Sequence, residues 1–237
     1  MTVWSLAWRC ALARRRLFVW NVLVPLLLLS PVALSEAAAP HRTAVFGVFF
    51  VFFATFGSAI PTVRDASDGW LDTVFVSGVP GHRWFLESWA AGTILDLIQL
   101  VPASWVLIGV STGASAGEIL RLGVALLVAI GTANVVGPLV AAVVRSLAEA
   151  ALVAAAVSLG LLHLSGFFRV PTGGWQAAVA AWSPYRPLRE ALADVQAGGA
   201  GVAGDWLPAL ALAAGLLAGA ARSAARWARR FEWPPAG

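Results

Sequence analysis

Few residues in this 237-residue chain have the chemistry of an active site, and they are scattered. Residues 113–117 read GASAG, the G-x-S-x-G spacing that can present a nucleophilic serine, here Ser115, on a sharp turn. His163 is the base such a serine would need. The motif falls in a short loop of an alanine- and glycine-rich chain, so an intramembrane serine protease with six spans stands only as a distant alternative. His41, His82 and His163 are far apart, without an HExxH pattern or an acidic cluster in the membrane, so no metal site is expected. The single Cys10 excludes a disulfide framework and a CxxC site. All 16 basic residues are arginine. Without lysine the chain has no Walker A loop for ATP phosphates and no Schiff-base chemistry. The expectation is a protein that is not an enzyme and binds no cofactor itself.

The densest polar chemistry lies in residues 62–84, TVRDASDGWLDTVFVSGVPGHRW, where Asp65, Asp68 and Asp72 fall within eight positions. At about 100° per residue these carboxylates lie within roughly 60° of one another, while Val63, Trp70 and Val74 share the opposite side. The pattern predicts an amphipathic helix over 62–77, breaking at Gly78, Pro80 and Gly81. A helix resting on an anionic membrane surface is usually basic. An acidic face therefore points either to a positively charged protein partner or to an ordinary solvated face.

Composition identifies the solvent around the rest. Hydrophobic residues make up 59% of the chain, charged residues 12%, and the mean hydropathy is +0.81. Soluble domains carry about 25% charge. The chain is thus expected to be an all-α membrane protein, since lipid offers the backbone no hydrogen-bond partners. Continuous rather than alternating apolar runs argue against a β-barrel. Six runs are long enough to span, at about 18–35, 44–61, 85–110, 118–142, 146–165 and 206–221. Residues 3–16 read as an amphipathic interfacial helix, with Trp4 and Trp8 four apart and arginines for lipid phosphates. The charged start and apolar core near residues 13–37 also have a signal-peptide layout, but the expectation is a retained first span. Eleven arginines fall on the side of both termini and five (Arg42, Arg121, Arg169, Arg186, Arg189) on the other. The positive-inside rule then places both termini in the cytoplasm, and the arginine placement argues for orientation rather than nucleic-acid binding. Residues 166–205 form an outer segment, with Trp175, Trp182 and Tyr185 suited to headgroup level and two short helices re-entrant or interfacial.

Within the spans, Phe46, Phe49, Phe50, Phe53 and Phe56 form one helical stripe. It is either packing bulk or, through Phe49, Phe53 and Phe56, the aromatic wall of a translocation path. Asp96 is the deepest ionisable group and either pairs with a neighbouring helix or lines a wet cavity. Arg145 and Glu149 are four apart and are expected to neutralise one another. Asn134, with Gly137 and Pro138, marks an expected kink in the fourth span.

The order of a basic amphipathic start, a Pro-containing first span and R-D-x-x-x-G-W-L-D-x(5)-G-V-P-x-x-R after the second resembles permease subunits of ABC-2 type exporters. In that family the loop carries an acidic residue, a glycine, T-L-E, then S-P and a basic residue. Asp65, Gly69, Leu71, Asp72, Pro80 and Arg83 take those places here, with Trp70 for threonine and Val79 for the small residue before proline. The outer SPYRPLREAL is similar to the family's P-x-x-x-L-x-x-A-L region. The resemblance implies a six-span subunit of the bacterial cytoplasmic membrane that works as a homodimer or paralogous heterodimer with two separate ATPase chains. ATP and Mg would be used by those partners. Residues 62–77 would be the coupling helix, with Asp65, Asp68, Gly69, Trp70, Leu71, Asp72 and Phe75 at the ATPase contact, and Phe49, Phe53, Phe56, Asp96 and Asn134 on the path. A haem-exporter-type permease of cytochrome c maturation is the near alternative.

Overall fold

The computed structural model describes residues 3–111, 113–197 and 204–228. Among them every regular element is a helix: α1 Val3–Ala13, α2 Arg15–Leu34, α3 Ala39–Ser67, α4 Trp70–Val76, α5 Gly81–Val110, α6 Ala116–Ala141, α7 Leu147–Leu164, α8 Gly174–Trp182, α9 Arg186–Ala197 and α10 Leu207–Ala228. Six of these, α2, α3, α5, α6, α7 and α10, are long and apolar enough to cross a bilayer. The protein is a multi-pass, all-α membrane protein.

Helix α6 is the axis. Every residue from Ala129 to Gly137 is buried, so this stretch is surrounded on all sides. Its composition explains why it can be. Ala125, Ala129, Gly131, Ala133 and Gly137 are small enough for neighbouring backbones to close in, and lipid-immersed helices associate largely through such close packing. The closest neighbour is α3, with α5 and α9 next and α7 and α10 outside them. A Cβ at Gly137 would overlap the Ser58 hydroxyl and lie 2.8 Å from the Ala59 backbone nitrogen, so α3 and α6 touch backbone to backbone there. At the other end of α3, a Cβ at Gly47 would enter the Phe167 ring. The expected change of direction at Asn134, Gly137 and Pro138 leaves α6 continuous; the helix runs on to Ala141, within a turn of Pro138.

Two loops are closed by capping chemistry. The Ser115 hydroxyl accepts the Glu118 N–H, and the Glu118 carboxylate accepts the Ser115 N–H at 2.7 Å, a full capping box at the start of α6. At α7 the Ser146 hydroxyl accepts the Glu149 N–H, and the Glu149 carboxylate accepts the Arg145 backbone N–H at 2.7 Å. The expected Arg145–Glu149 ion pair is therefore replaced by a helix cap, in which the Glu149 carboxylate turns back to the backbone N–H just ahead of the N-cap, where the positive end of the helix dipole also favours it. Replacing Ser115 with alanine should cost about 1 kcal/mol in thermal unfolding of the detergent-solubilised protein.

Several expected boundaries shift. Helix α1 ends at Ala13 and α2 already begins at Arg15, a tighter corner than an interfacial helix over 3–16 requires. Trp4 and Trp8 do meet, at 6.1 Å between ring centroids. Helix α1 packs against α2 and α5, and its Trp4 backbone N–H donates to the Glu87 carboxylate of α5 at 3.2 Å. At 29 residues, about 43 Å, α3 exceeds the roughly 30 Å hydrocarbon layer, and its last turns stay packed, with Val63 buried against Ala141 and Ala150 and Ala66 against Trp84 and Val135.

Candidate functional site

The predicted helix over 62–77 is divided in two. Helix α3 continues through Asp65 to Ser67, and Gly69 then adopts φ +69°, the left-handed conformation that closes a helix and that glycine takes without strain. Helix α4 starts afresh at Trp70 and ends at a second left-handed glycine, Gly78 at φ +84°, ahead of Pro80. A helical wheel assumes a continuous helix, so it could not register the turn at Gly69. The consequence is a seven-residue crank set off from α3 and α5 by a glycine at each end.

Its residues divide by side. Leu71 is fully buried in a cluster with Trp84, Phe85, Val135 and Ala224. Phe75 meets Trp84 edge to face at 5.8 Å, and Trp70 and Val74 pack on the same cluster. These side chains anchor the crank to α5, α6 and α10. Asp68 and Asp72 are exposed. Beside them Val76 is 88% exposed, an apolar side chain in open surface. Asp65 stands on the α3 side of the break, half-buried, with Arg64 and Arg14 near enough to act on it electrostatically. Of the seven residues expected at a partner contact, Asp68 and Asp72 face outward, Trp70, Leu71 and Phe75 hold the helix in place, Gly69 sets its direction, and Asp65 belongs to α3. Val76 escaped sequence reasoning, since a lone valine carries no signal until its exposure is known.

The residues expected along a path split in a similar way. Phe46 and Phe50 are fully buried in the main core, meeting edge to face at 5.7 Å. Phe49 and Phe53 are half-buried and nearly parallel, 6.2 Å apart, and Phe52 stacks on half-buried Phe56. The single stripe read from the sequence is thus two faces, one fully in the core and one partly exposed at its edge. Asp96 is buried at the middle of α5, where it accepts a hydrogen bond from the Asn134 carboxamide of α6 at 2.8 Å. The sequence left Asp96 between a paired and a wet environment; the structure supplies the pair and names Asn134.

The face opposite α4 carries a polar clamp. Helix α9 is tucked among α3, α5 and α6, with Tyr185, Leu188, Leu192 and Val195 in the main core. Tyr185 is wholly buried, with no hydrogen-bond partner for its hydroxyl among the described residues, rather than lying at headgroup level, whereas Trp175 and Trp182 are exposed. Glu190 gathers Arg186 at 2.7 Å and the Trp206 indole N–H at 2.9 Å. Arg121 of α6 reaches Asp194 at 3.0 Å and lies over the Trp206 ring at 5.2 Å. The Arg121–Asp194 contact is ionic rather than a directed hydrogen bond, for the Asp194 Oδ2 accepts none among the described residues. Burial pushes the Asp194 carboxyl above its ordinary 3.8, and Arg121 opposes that rise. A raised folded pKa gives a contribution present in full below the unfolded pKa and lost as pH rises through the folded value. Replacing Arg121 with alanine should therefore destabilise more near pH 7, by about 1–2 kcal/mol, than near pH 4, where Asp194 can take up a proton instead. Thermal unfolding at the two pH values measures the difference.

Ser115 is engaged as the α6 cap, and His163, exposed on α7, stacks on Phe168; no hydrogen bond joins the two among the described residues. Among those residues no three His, Cys, Asp or Glu side chains converge as metal ligands. No protein-family model matches the chain, and no characterised protein is detectably similar to it.

Proposed function

We propose that this protein is the permease subunit of an ATP-driven exporter of the ABC-2 type, working as a pair and coupled through α4 to separate ATPase chains. The observation that carries the reading is α4 itself. Between the second and third spanning helices stands a short helix set off by two left-handed glycines, fixed from behind by Leu71 and Phe75 and presenting Asp68, Asp72 and Val76 outward. Anchored in this way, α4 could pass a force applied at its exposed carboxylates to α5, α6 and α10. The element order supports the same reading: a short arginine-flanked helix against the base of the bundle, six apolar helices, and the α8–α9 pair between the fifth and sixth. Lysine is absent from these 237 residues, so they hold no P-loop for ATP hydrolysis, which agrees with a motor supplied from elsewhere. On this reading α1, α4 and both termini face the cytoplasm, the clamp around α9 faces outward, and a second copy completes the path. Co-expression with a candidate ATPase subunit tests it. The expected result is a stable complex in detergent whose ATPase rate differs from that of the ATPase alone; an ATPase that neither binds nor responds counts against the assignment.

A further inference from the structure

Helix α3 presents one open face along which three positions succeed one another at intervals of four: Phe49, Phe53 and Gly57. The two rings are half-buried and stacked at 6.2 Å, with an interplanar angle of 24°. One turn further, about 6 Å along the axis, Gly57 is exposed and offers no side chain. Behind it lies the Asp96 carboxyl: a Cβ at residue 57 would sit 3.6 Å from Asp96 Oδ1. The missing side chain is therefore a window, and the group seen through it is an acid in the middle of a spanning helix. Asn134 occupies its Oδ2 from the far side, and among the described residues no arginine or histidine approaches within ion-pair distance. Carboxyl groups at membrane depth usually pair with a cation or serve a passing one. This one has an amide behind it and an opening in front.

We infer that Phe49, Phe53, Gly57 and Asp96 form a binding site for an aromatic or amphiphilic cation, with the rings taking the apolar body and Asp96 the charge. Aromatic faces attract cations most strongly where water is excluded, and an anion buried without a countercharge is stabilised when a cation joins it. Asn134 is a positioning residue, holding the carboxyl toward the window while its own carboxamide lies against Gly92, where a Cβ would come within 3.3 Å. The inference rests on the permease reading only in naming the occupant as cargo; the site itself does not depend on it.

The test uses the purified protein in lipid nanodiscs, titrated with radiolabelled tetraphenylphosphonium. Tetraphenylborate, of the same shape and opposite charge, is the control. Saturable phosphonium binding is expected, weakened at least tenfold in Asp96→Asn and in Gly57→Leu, and weakened in the Phe49→Ala/Phe53→Ala double variant. Borate should partition into lipid without saturation, equally in all of them. Gly57→Leu keeps the test decisive if Asp96→Asn folds poorly, since a Cβ at 57 makes only ordinary van der Waals contact with Asp96 and the substitution alters neither Asp96 nor Asn134. Absence of saturable phosphonium binding to the folded protein, full retention of binding in Gly57→Leu, or saturable borate binding would each overturn the inference. Measuring ATPase stimulation on the same preparations separates the two ideas. A coupled ATPase without phosphonium binding removes the site alone, and phosphonium binding without a coupled ATPase removes the permease reading alone.

Discussion

If α4 docks on an ATPase chain as proposed, the double variant Asp68→Lys/Asp72→Lys is expected to lose that contact while remaining folded. Both carboxylates are exposed, and neither takes part in the cluster that anchors α4. Exposed substitutions of this kind usually change stability by no more than about 0.5 kcal/mol. At an interface the same change converts attraction into repulsion, and like charges brought together there cost several kcal/mol. Affinity for the ATPase should fall at least tenfold, about 1.4 kcal/mol, and stimulation of ATP hydrolysis should vanish with it. Reversal of the exposed Glu36, in the turn between α2 and α3 and remote from α4, serves as the control and should change neither. Leu71→Ala separates the two roles within α4. It leaves the charges in place but removes a fully buried anchor, so a complex that still forms should couple poorly.

The second large effect is expected at Gly137. Its would-be Cβ overlaps the Ser58 hydroxyl and lies 2.8 Å from the Ala59 nitrogen. A flexible side chain could turn aside, but the α3 backbone cannot. Ser58 is itself tied to the Ala54 and Thr55 carbonyls. Gly137→Ala should cost about 1–3 kcal/mol, the usual range for overpacking. Gly137→Leu should prevent α3 and α6 from docking, read as loss of monodisperse protein in detergent. Gly123, toward the other end of the same helix, where an added Cβ meets nothing within 4 Å, should accept alanine without loss.

The six spanning helices were legible because lipid leaves no other solution: an apolar run of sufficient length must be a helix. What escaped the sequence depended on partners that an isolated segment does not reveal. The acidic wheel over 62–77 assumed a single helix, whereas Gly69 in the left-handed conformation hands Asp65 to α3 and Asp72 to α4. The spacing of Arg145 and Glu149 fits an ion pair and a cap equally well. The S-x-x-E pattern that decided for the cap, at Ser146 and Glu149 as at Ser115 and Glu118, was present in the sequence. Helix α9 was recognisable as a short amphipathic segment, but nothing local showed that Arg121 and Trp206 would cover its polar side and let Tyr185 enter the core. Asp96 was conspicuous by its depth. Its partner Asn134 lies 38 residues away, a pairing set by how α5 packs on α6.

Placing a photo-crosslinking residue at Val76, exposed and beside the carboxylates of α4, tests the central claim most directly. Irradiation of intact membranes, followed by mass spectrometry, identifies what touches that position. The account predicts an adduct with a chain bearing a G-x-x-x-x-G-K-[ST] loop, abolished by Asp68→Lys/Asp72→Lys. Adducts with lipid alone, or an ATPase adduct indifferent to the charge reversal, would contradict it.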